Sequence, residues 1–199
     1  MEREEIKQII KKIFPKSKDS LIEKIFKFSQ YTKLNGGEKI IREGVKNHFS
    51  FFIISGSVKS YFLNQEGKRT CSWFAFENDF LTTTNTLYFK KSNETVELLE
   101  DSLFLKINTH KLVHLAETEI SICLVFAKMV LEHTKFLEEY LYLRSISSFN
   151  RYQKLISLYP DILARVSLTD ISSFLGIRRE TLSRLRAQKT EQPKRVSQK

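Results

Sequence analysis

Arginines 178, 179, 184 and 186, with Glu180, Thr181 and Ser183 between them, are the densest group of side chains in this sequence able to recognise a partner chemically. A guanidinium fork can donate two parallel hydrogen bonds to phosphate or to the O6/N7 edge of guanine, and a carboxylate can accept one from cytosine N4. The segment that holds them, Leu168 to Arg186 (LTDISSFLGIRRETLSRLR), gives them a common direction. Leu168, Ile171 and Leu175 fall on one helical face, Gly176 supplies a turn and Ile177 plugs it, and Leu182 and Leu185 form the inner face of a second helix. Ser172, small and four residues before the glycine, leaves room for two helices to cross steeply. The spacing predicts a helix-turn-helix whose second helix turns Arg178, Arg179, Glu180, Ser183, Arg184 and Arg186 outward, with Thr181 either interior or on a phosphate. The competing reading is an αα corner with a solvated arginine face.

Charge points to the same end of the chain. In 199 residues, 33 Lys and Arg stand against 23 Asp and Glu, a formal charge of +10. From Arg178 to Lys199, eight basic residues face only Glu180 and Glu191, so six of the ten net charges lie there. That asymmetry suits a polyanion, although a solubilising tail would show it too. After Gln188 the chain is polar and basic, with no apolar pattern for a wing hairpin, and residues 189–199 are expected to be disordered and attracted nonspecifically to phosphate.

Other chemistries find fewer of the groups they need. Cys71 and Cys123 cannot build a disulfide framework or a four-thiolate site, which fits a reducing compartment. They are read either as a redox pair or as buried free thiols. His110 and His114 stand four apart with no third ligand at metal spacing, so no metal and no cofactor are expected. A cupin-like enzyme would need a His-x-His set within its strands, where only His48 occurs, so no catalytic residues are assigned. Trp73, Phe74, Phe76 and Phe80 could line an apolar pocket or belong to a core. The acidic start Met1-Glu2-Arg3-Glu4-Glu5 is unlike a signal peptide, and no apolar run approaches ~18 residues, so a cytoplasmic protein without a membrane partner is expected.

The elements that must position these groups follow from periodicity. Ile6, Ile9, Ile10 and Ile13 predict a short amphipathic helix. Leu21, Ile22, Ile25, Phe26 and Phe28 predict a second one running into Gly36-Gly37. From Lys39 to about Ile107, β-prone runs alternate with turn residues, which predicts an antiparallel barrel or jelly roll. Phe49 to Ile54 and Val58 to Leu63 read as a hairpin across Ser55-Gly56-Ser57. Beyond Asn108 the pattern predicts one short helix and then a long one to about Tyr142. The long helix is apolar on two sides. Ile120, Leu124, Ala127, Leu131, Thr134 and Leu141 lie on one, and Ile122, Phe126, Met129, Phe136, Tyr140 and Leu143 on the other. One side can cover the barrel and the other a second subunit, or both can be buried within one domain. A further helix spans Ser148 to Tyr159, a boundary falls near Ser145 to Ser148, and a strand at about Ala164 to Ser167 precedes the helix-turn-helix.

This order of barrel, long helix and helix-turn-helix resembles the Crp/Fnr family of bacterial transcription regulators over nearly the whole chain. Arg179-Glu180-Thr181 followed by Ser183-Arg184 is similar to the Arg-Glu-Thr-x-x-Arg of that family's recognition helix, and Ile53-Ile54-Ser55-Gly56-Ser57-Val58 and Leu98-Leu99-Glu100-Asp101-Ser102 are similar to its barrel strands. The resemblance implies base contacts from Arg179, Glu180 and Arg184. It also implies an α+β architecture: a sensing barrel at 1–117, a dimerisation helix at 118–145, a winged-helix-like head at 146–188 and the tail at 189–199. Its partners would be double-stranded DNA, a second copy of the chain, RNA polymerase and an effector in the barrel. The departures lie in the phosphate cassette. Phe80-Leu81-Thr82-Thr83 stands where nucleotide-binding members carry Gly-Glu, and Ser92-Asn93-Glu94-Thr95 where they carry Arg-Ser or Arg-Thr. No arginine lies between Arg69 and Arg144, though Lys90 or Lys91 could substitute, so no cyclic AMP response is expected. The alternative is a small-molecule sensor whose helix-turn-helix serves a protein contact.

Overall fold

The apolar positions of the middle third come together as two facing sheets in a computed structural model, which describes residues 3–190. The strands are β1 (Ser29–Leu34), β2 (Lys39–Ile41), β3 (Phe49–Ser55), β4 (Val58–Leu63), β5 (Arg69–Ala75), β6 (Phe80–Leu81), β7 (Thr95–Leu98) and β8 (Ser102–Asn108). They pair antiparallel in the orders β1-β8-β3-β6 and β2-β7-β4-β5. The architecture is therefore a two-sheet sandwich rather than a closed barrel. Alternation along β8 explains the layering: Phe104 points between the sheets with Phe51, Ile53, Val58, Val96 and Leu98. Leu105 and Ile107 point the opposite way, onto helices. Those helices are α1 (Arg3–Ile13), α2 (Asp19–Phe26), α4 (Thr109–Ala116) and the start of α5 (Ile120–Ser145), which contribute Ile10, Ile25, Leu112 and Ile122.

Three expectations are corrected. First, β3 and β4 form no hairpin; they lie in different sheets, and the Ser55-Gly56-Ser57 link crosses between them. Strict alternation places Phe51, Ile53 and Val58 in one interior whether the neighbours are in one sheet or in two, so the pattern cannot distinguish the cases. Gly56 makes the crossing possible. Its φ is +102°, and a Cβ there would lie 2.8 Å from the Cα of Ser102. Second, the apolar stripe from Leu21 does not continue as helix to Gly36. It stops at Phe26, and Gln30-Tyr31-Thr32 pairs with β8 as strand β1. Pairing with a buried central strand outweighs the short helical stripe. Third, no strand precedes the C-terminal helices. Ile162–Arg165 forms the single turn α7, and Ser167 caps the next helix.

The C-terminal helices are α6 (Ser148–Leu158), α7, α8 (Leu168–Leu175) and α9 (Arg179–Thr190). They enclose Tyr152, Leu155, Ile162, Ile171, Leu175 and Leu182, and this core continues onto Cys71 and Phe74 of β5. Helix α5 links the two cores. Ile122 and Leu143 are buried and Phe136 and Tyr140 pack against the C-terminal core, while Ile120, Leu131 and Leu141 on the other side are 74%, 70% and 69% exposed. No helix among the described residues is long and apolar enough to cross a membrane.

The sheet crossing supplies a test. Gly56→Ala combines left-handed backbone strain with a backbone overlap, and urea denaturation should show a loss of about 2–4 kcal/mol. A loss below about 0.5 kcal/mol would remove the close crossing as a constraint on the sandwich.

Candidate nucleic-acid interface

The turn between α8 and α9 is built from its glycine outward. Gly176 adopts φ 63° and ψ 40°, with its N–H donating to Ser173 O (3.1 Å) while Ile177 N–H donates to Ser172 O (3.0 Å), a Schellman arrangement that ends α8 abruptly. At its start, the Ser167 hydroxyl accepts from Asp170 N–H (3.1 Å) and donates to the Asp170 carboxylate (2.7 Å). Arg151 of α6 fastens the unit to the long helix, donating to Leu175 O (2.9 Å), Ile146 O (3.0 Å) and Arg144 O (3.2 Å). Leu182, fully buried, anchors α9 by its inner face.

The predicted side chains lie on one helix and on the residue just before it. Arg178, Arg179, Glu180, Ser183, Arg184 and Arg186 are exposed, and Thr181 is half-buried beside the anchor. Burial raises the Tyr152 hydroxyl beneath them, partly offset by the charge of Arg186. The sequence analysis missed the residues that set the helix pair on the sandwich. Strand β5 is the outer strand of its sheet, so its edge carries backbone groups with no neighbouring strand. Ser173 of α8 supplies partners: its Oγ accepts from Cys71 N–H (3.0 Å) and donates to Arg69 O (3.3 Å). Beside it, the rings of Phe74 and Phe174 lie 5.4 Å apart and those of Phe76 and Tyr159 5.5 Å apart.

Two charged clusters flank this apolar strip. Arg165 of α7 donates from its two terminal nitrogens to the Glu77 carboxylate (both 2.8 Å) and from Nε to Glu100 (3.0 Å). Those hydrogen bonds hold the Glu77 carboxyl down at about 2, against its burial. Burial opposes the charge on Glu100, but Ser57 and Arg165 outweigh it and keep that carboxyl below its ordinary range. On the other flank, Lys59 of β4 reaches Asp170 (2.9 Å) and Glu97 (3.5 Å). Burial works against the ammonium, yet the two carboxylates together raise its pKa. The sequence held one partial signal: Ser167-x-x-Asp170 has capping spacing. Nothing in it joins Glu77 to Arg165, 88 residues away.

The thiols are separate. Burial pushes Cys71 up to about 12, in the core shared with α8, whereas Cys123 donates to Ala116 O near the start of α5. His114 pairs with Glu117 and His110 lies against Phe89, and no group of three metal-ligating side chains occurs among the described residues.

The cassette region presents the wrong chemistry for a cyclic phosphate. Helix α3 (Thr84–Leu87) is four residues long, and Thr86 N–H donates to the Thr83 hydroxyl. Where an arginine would be needed, the Glu94 carboxylate accepts from Trp73 Nε1 (2.9 Å) and from the buried Ser60 hydroxyl. An anion placed there would meet the Glu94 carboxylate.

With that geometry established, comparison with known proteins places the chain in context. Residues 31–119 match the cyclic nucleotide-binding domain. Solved structures of the same fold include FixK2 from Bradyrhizobium japonicum, with a TM-score of 0.72 and 19% identity over 80% of this chain and 83% of that one. A candidate transcriptional regulator of the Crp/Fnr family from Eubacterium rectale ATCC 33656 has a TM-score of 0.73 and 14% identity, over 90% and 87%. Catabolite Activator Protein from Thermus thermophilus has a TM-score of 0.54 and 16% identity, over 90% and 87%. No curated protein sequence matches the chain. The chain thus has the Crp/Fnr fold, with a cyclic nucleotide-binding domain at its centre.

The Arg165 cluster gives a pH dependence with a defined sign. A carboxyl lowered from 4.5 to about 2 in the folded protein stabilises it fully above the unfolded value and loses that contribution as pH falls toward the folded one. The stability gap between the protein and its Arg165→Met variant should therefore close between about pH 5 and pH 2, read by thermal unfolding across a pH series. A gap that stays constant over that range would separate Glu77 from Arg165 energetically.

Proposed function

We propose that this chain, which has the fold of the Crp/Fnr regulators, is a homodimeric, sequence-specific DNA-binding regulator of transcription and not an enzyme. The observation that carries the reading is α9: six polar and charged side chains, Arg178, Arg179, Glu180, Ser183, Arg184 and Arg186, exposed beside a helix anchored by buried Leu182 and started by a tight turn. In this reading α8, the turn and α9 form a helix-turn-helix. Arg179 and Arg184 read guanine edges, Glu180 accepts from cytosine, and Arg178, Thr181, Ser183 and Arg186 serve phosphates or neighbouring bases. Residues 146–188 form the DNA-binding head. The tail at 189–199, nearly all outside the described residues, adds sequence-independent attraction.

The second copy is assigned to the open side of α5. Ile120, Leu124, Ala127, Leu131, Thr134 and Leu141 follow a 4-3-4-3-7 spacing, the seam of a two-stranded helical contact, and all are exposed in the single chain. Two heads related by that axis would meet half-sites about 34–36 Å apart. Residues 1–117 act as a sensing domain. Its cassette carries Glu94 where the phosphate would need a cation, so the effector of this domain is not cyclic AMP. The setting is cytoplasmic, with RNA polymerase as the further partner through which bound dimers act.

Selection of bound sequences from a random DNA pool at two salt concentrations tests the assignment, and a palindromic enriched site is expected. Arg179→Ala should cost about 1–3 kcal/mol at that site and relax one base position, whereas Lys194→Ala should weaken all DNA equally. Leu131→Glu should give monomers by sedimentation and abolish the palindrome. Enrichment of no sequence, with no salt-dependent affinity, would return the helix pair to a protein contact. Titration with cyclic AMP should give no saturable heat; a micromolar isotherm would overturn the reading of Glu94.

A further inference from the structure

A cavity of about 230 Å³ opens between β1, β2, β3 and β8. Its walls are unlike the rest of the core. Phe49 and Phe51 supply apolar surface, and Thr32, Glu38, Lys39, Asn47 and Lys106 supply polar groups. Lys106 stands on the inward face of β8, in line with buried Phe104, where an alternating strand would ordinarily place another apolar residue. Its ammonium lies 3.8 Å from the centre of the Phe49 ring. Among the described residues no carboxylate pairs with Lys106 or Lys39, and the nearby Glu38 carboxylate accepts from Asn35 N–H instead (2.7 Å). The Thr32 hydroxyl is buried and has no hydrogen-bond partner. A buried unpaired hydroxyl is costly, and so is a lysine turned inward without a counter-ion.

We propose that this cavity is a binding site for a small organic carboxylate. The carboxylate takes hydrogen bonds from the Lys106 ammonium and the Thr32 hydroxyl, and the apolar body of the ligand lies against Phe49 and Phe51. The volume falls below the roughly 300–1,000 Å³ of pockets for drug-sized ligands, so the ligand is small. The Lys106 ammonium has no carboxylate partner and the Glu38 carboxylate is already engaged by Asn35 N–H, which favours a monoanion over a neutral or cationic molecule. The site is tied to the cassette helix, because Asn47 Nδ2 donates to the Thr86 hydroxyl (3.1 Å). The assignment does not depend on the DNA-binding reading, since its test contains no DNA.

The test uses the full chain with benzoate and hexanoate as probes and with benzamide and hexanamide as their neutral counterparts, read by calorimetry and by thermal shift. The carboxylates should bind one per chain, with the amides weaker by about tenfold or more. Lys106→Met keeps the apolar stem over Phe49 and removes the charge, and it should weaken carboxylate binding by about tenfold or more while leaving the amides unchanged. Thr32→Val removes the unpaired hydroxyl and reads the site separately should Lys106→Met fold poorly. It should raise the melting temperature of the ligand-free protein and lower carboxylate affinity. Absence of saturable binding of either carboxylate up to about 10 mM, equal binding of acid and amide, or unchanged affinity in the variants would each overturn the proposal.

Discussion

Strand β5 sits at the edge of its sheet, with peptide groups that water or another strand would otherwise have to satisfy. The chain resolves this with its own helix α8, whose Ser173 hydroxyl takes the N–H of Cys71 and returns a bond to the carbonyl of Arg69. That single contact fixes which face of α8 looks at the sandwich, and the pose of α9 follows because the Gly176 turn leaves little freedom between the two helices. The flanking clusters around Arg165 and Lys59 set the angle. Each joins a cation to two carboxylates, so rotation of the helix pair would separate opposite charges that are partly removed from water. The direction of the exposed side chains of α9 is thus decided some distance from them, at a sheet edge.

Helix α5 divides its apolar surface between two tasks. Ile122 completes the core under the first sheet, and Phe136 and Tyr140 reach the C-terminal core, where the Tyr140 and Phe174 rings lie 5.5 Å apart. The opposite stripe contributes nothing to the fold of one chain, and so large a run of exposed Ile and Leu is uncommon on a monomer surface. An arrangement in which a single helix touches both the sandwich and the C-terminal unit lets each bias the other by small shifts in one rigid rod.

The centre of the sandwich combines an inherited shape with altered chemistry. Ser60, Trp73 and Glu94 satisfy one another, while Lys106, without a carboxylate partner, and the buried, unbonded Thr32 hydroxyl line the cavity between β1, β2, β3 and β8. Burial penalises both kinds of group unless each finds its complement, so the polar inventory of a cavity describes the ligand that would suit it.

Much of this was legible in one dimension because it depends on local periodicity. The Ile6 to Ile13 stripe, the two-sided pattern from Ile120 to Leu143, and the Leu168 to Arg186 segment with its glycine all form the helices their spacing implies. In an α-helix, spacing alone dictates which side chains share a face, so the outward set on α9 could be named from the residues. Strand pairing carries no such local record. A period of two says which residues point the same way but not which strand lies alongside, which is why β3 and β4 read as a hairpin and Ser29–Leu34 as the end of a helix. Ion pairs such as Arg165 with Glu77 are equally silent, since either residue alone resembles an ordinary surface charge. The sequence by itself determined the helices, the turn and the outward face of α9, whose causes lie within a few residues of chain. Only the tertiary structure decided the sheet order, the charged clamps beside the sheet edge and the polar lining of the sandwich, because those arise from groups that meet across tens of residues.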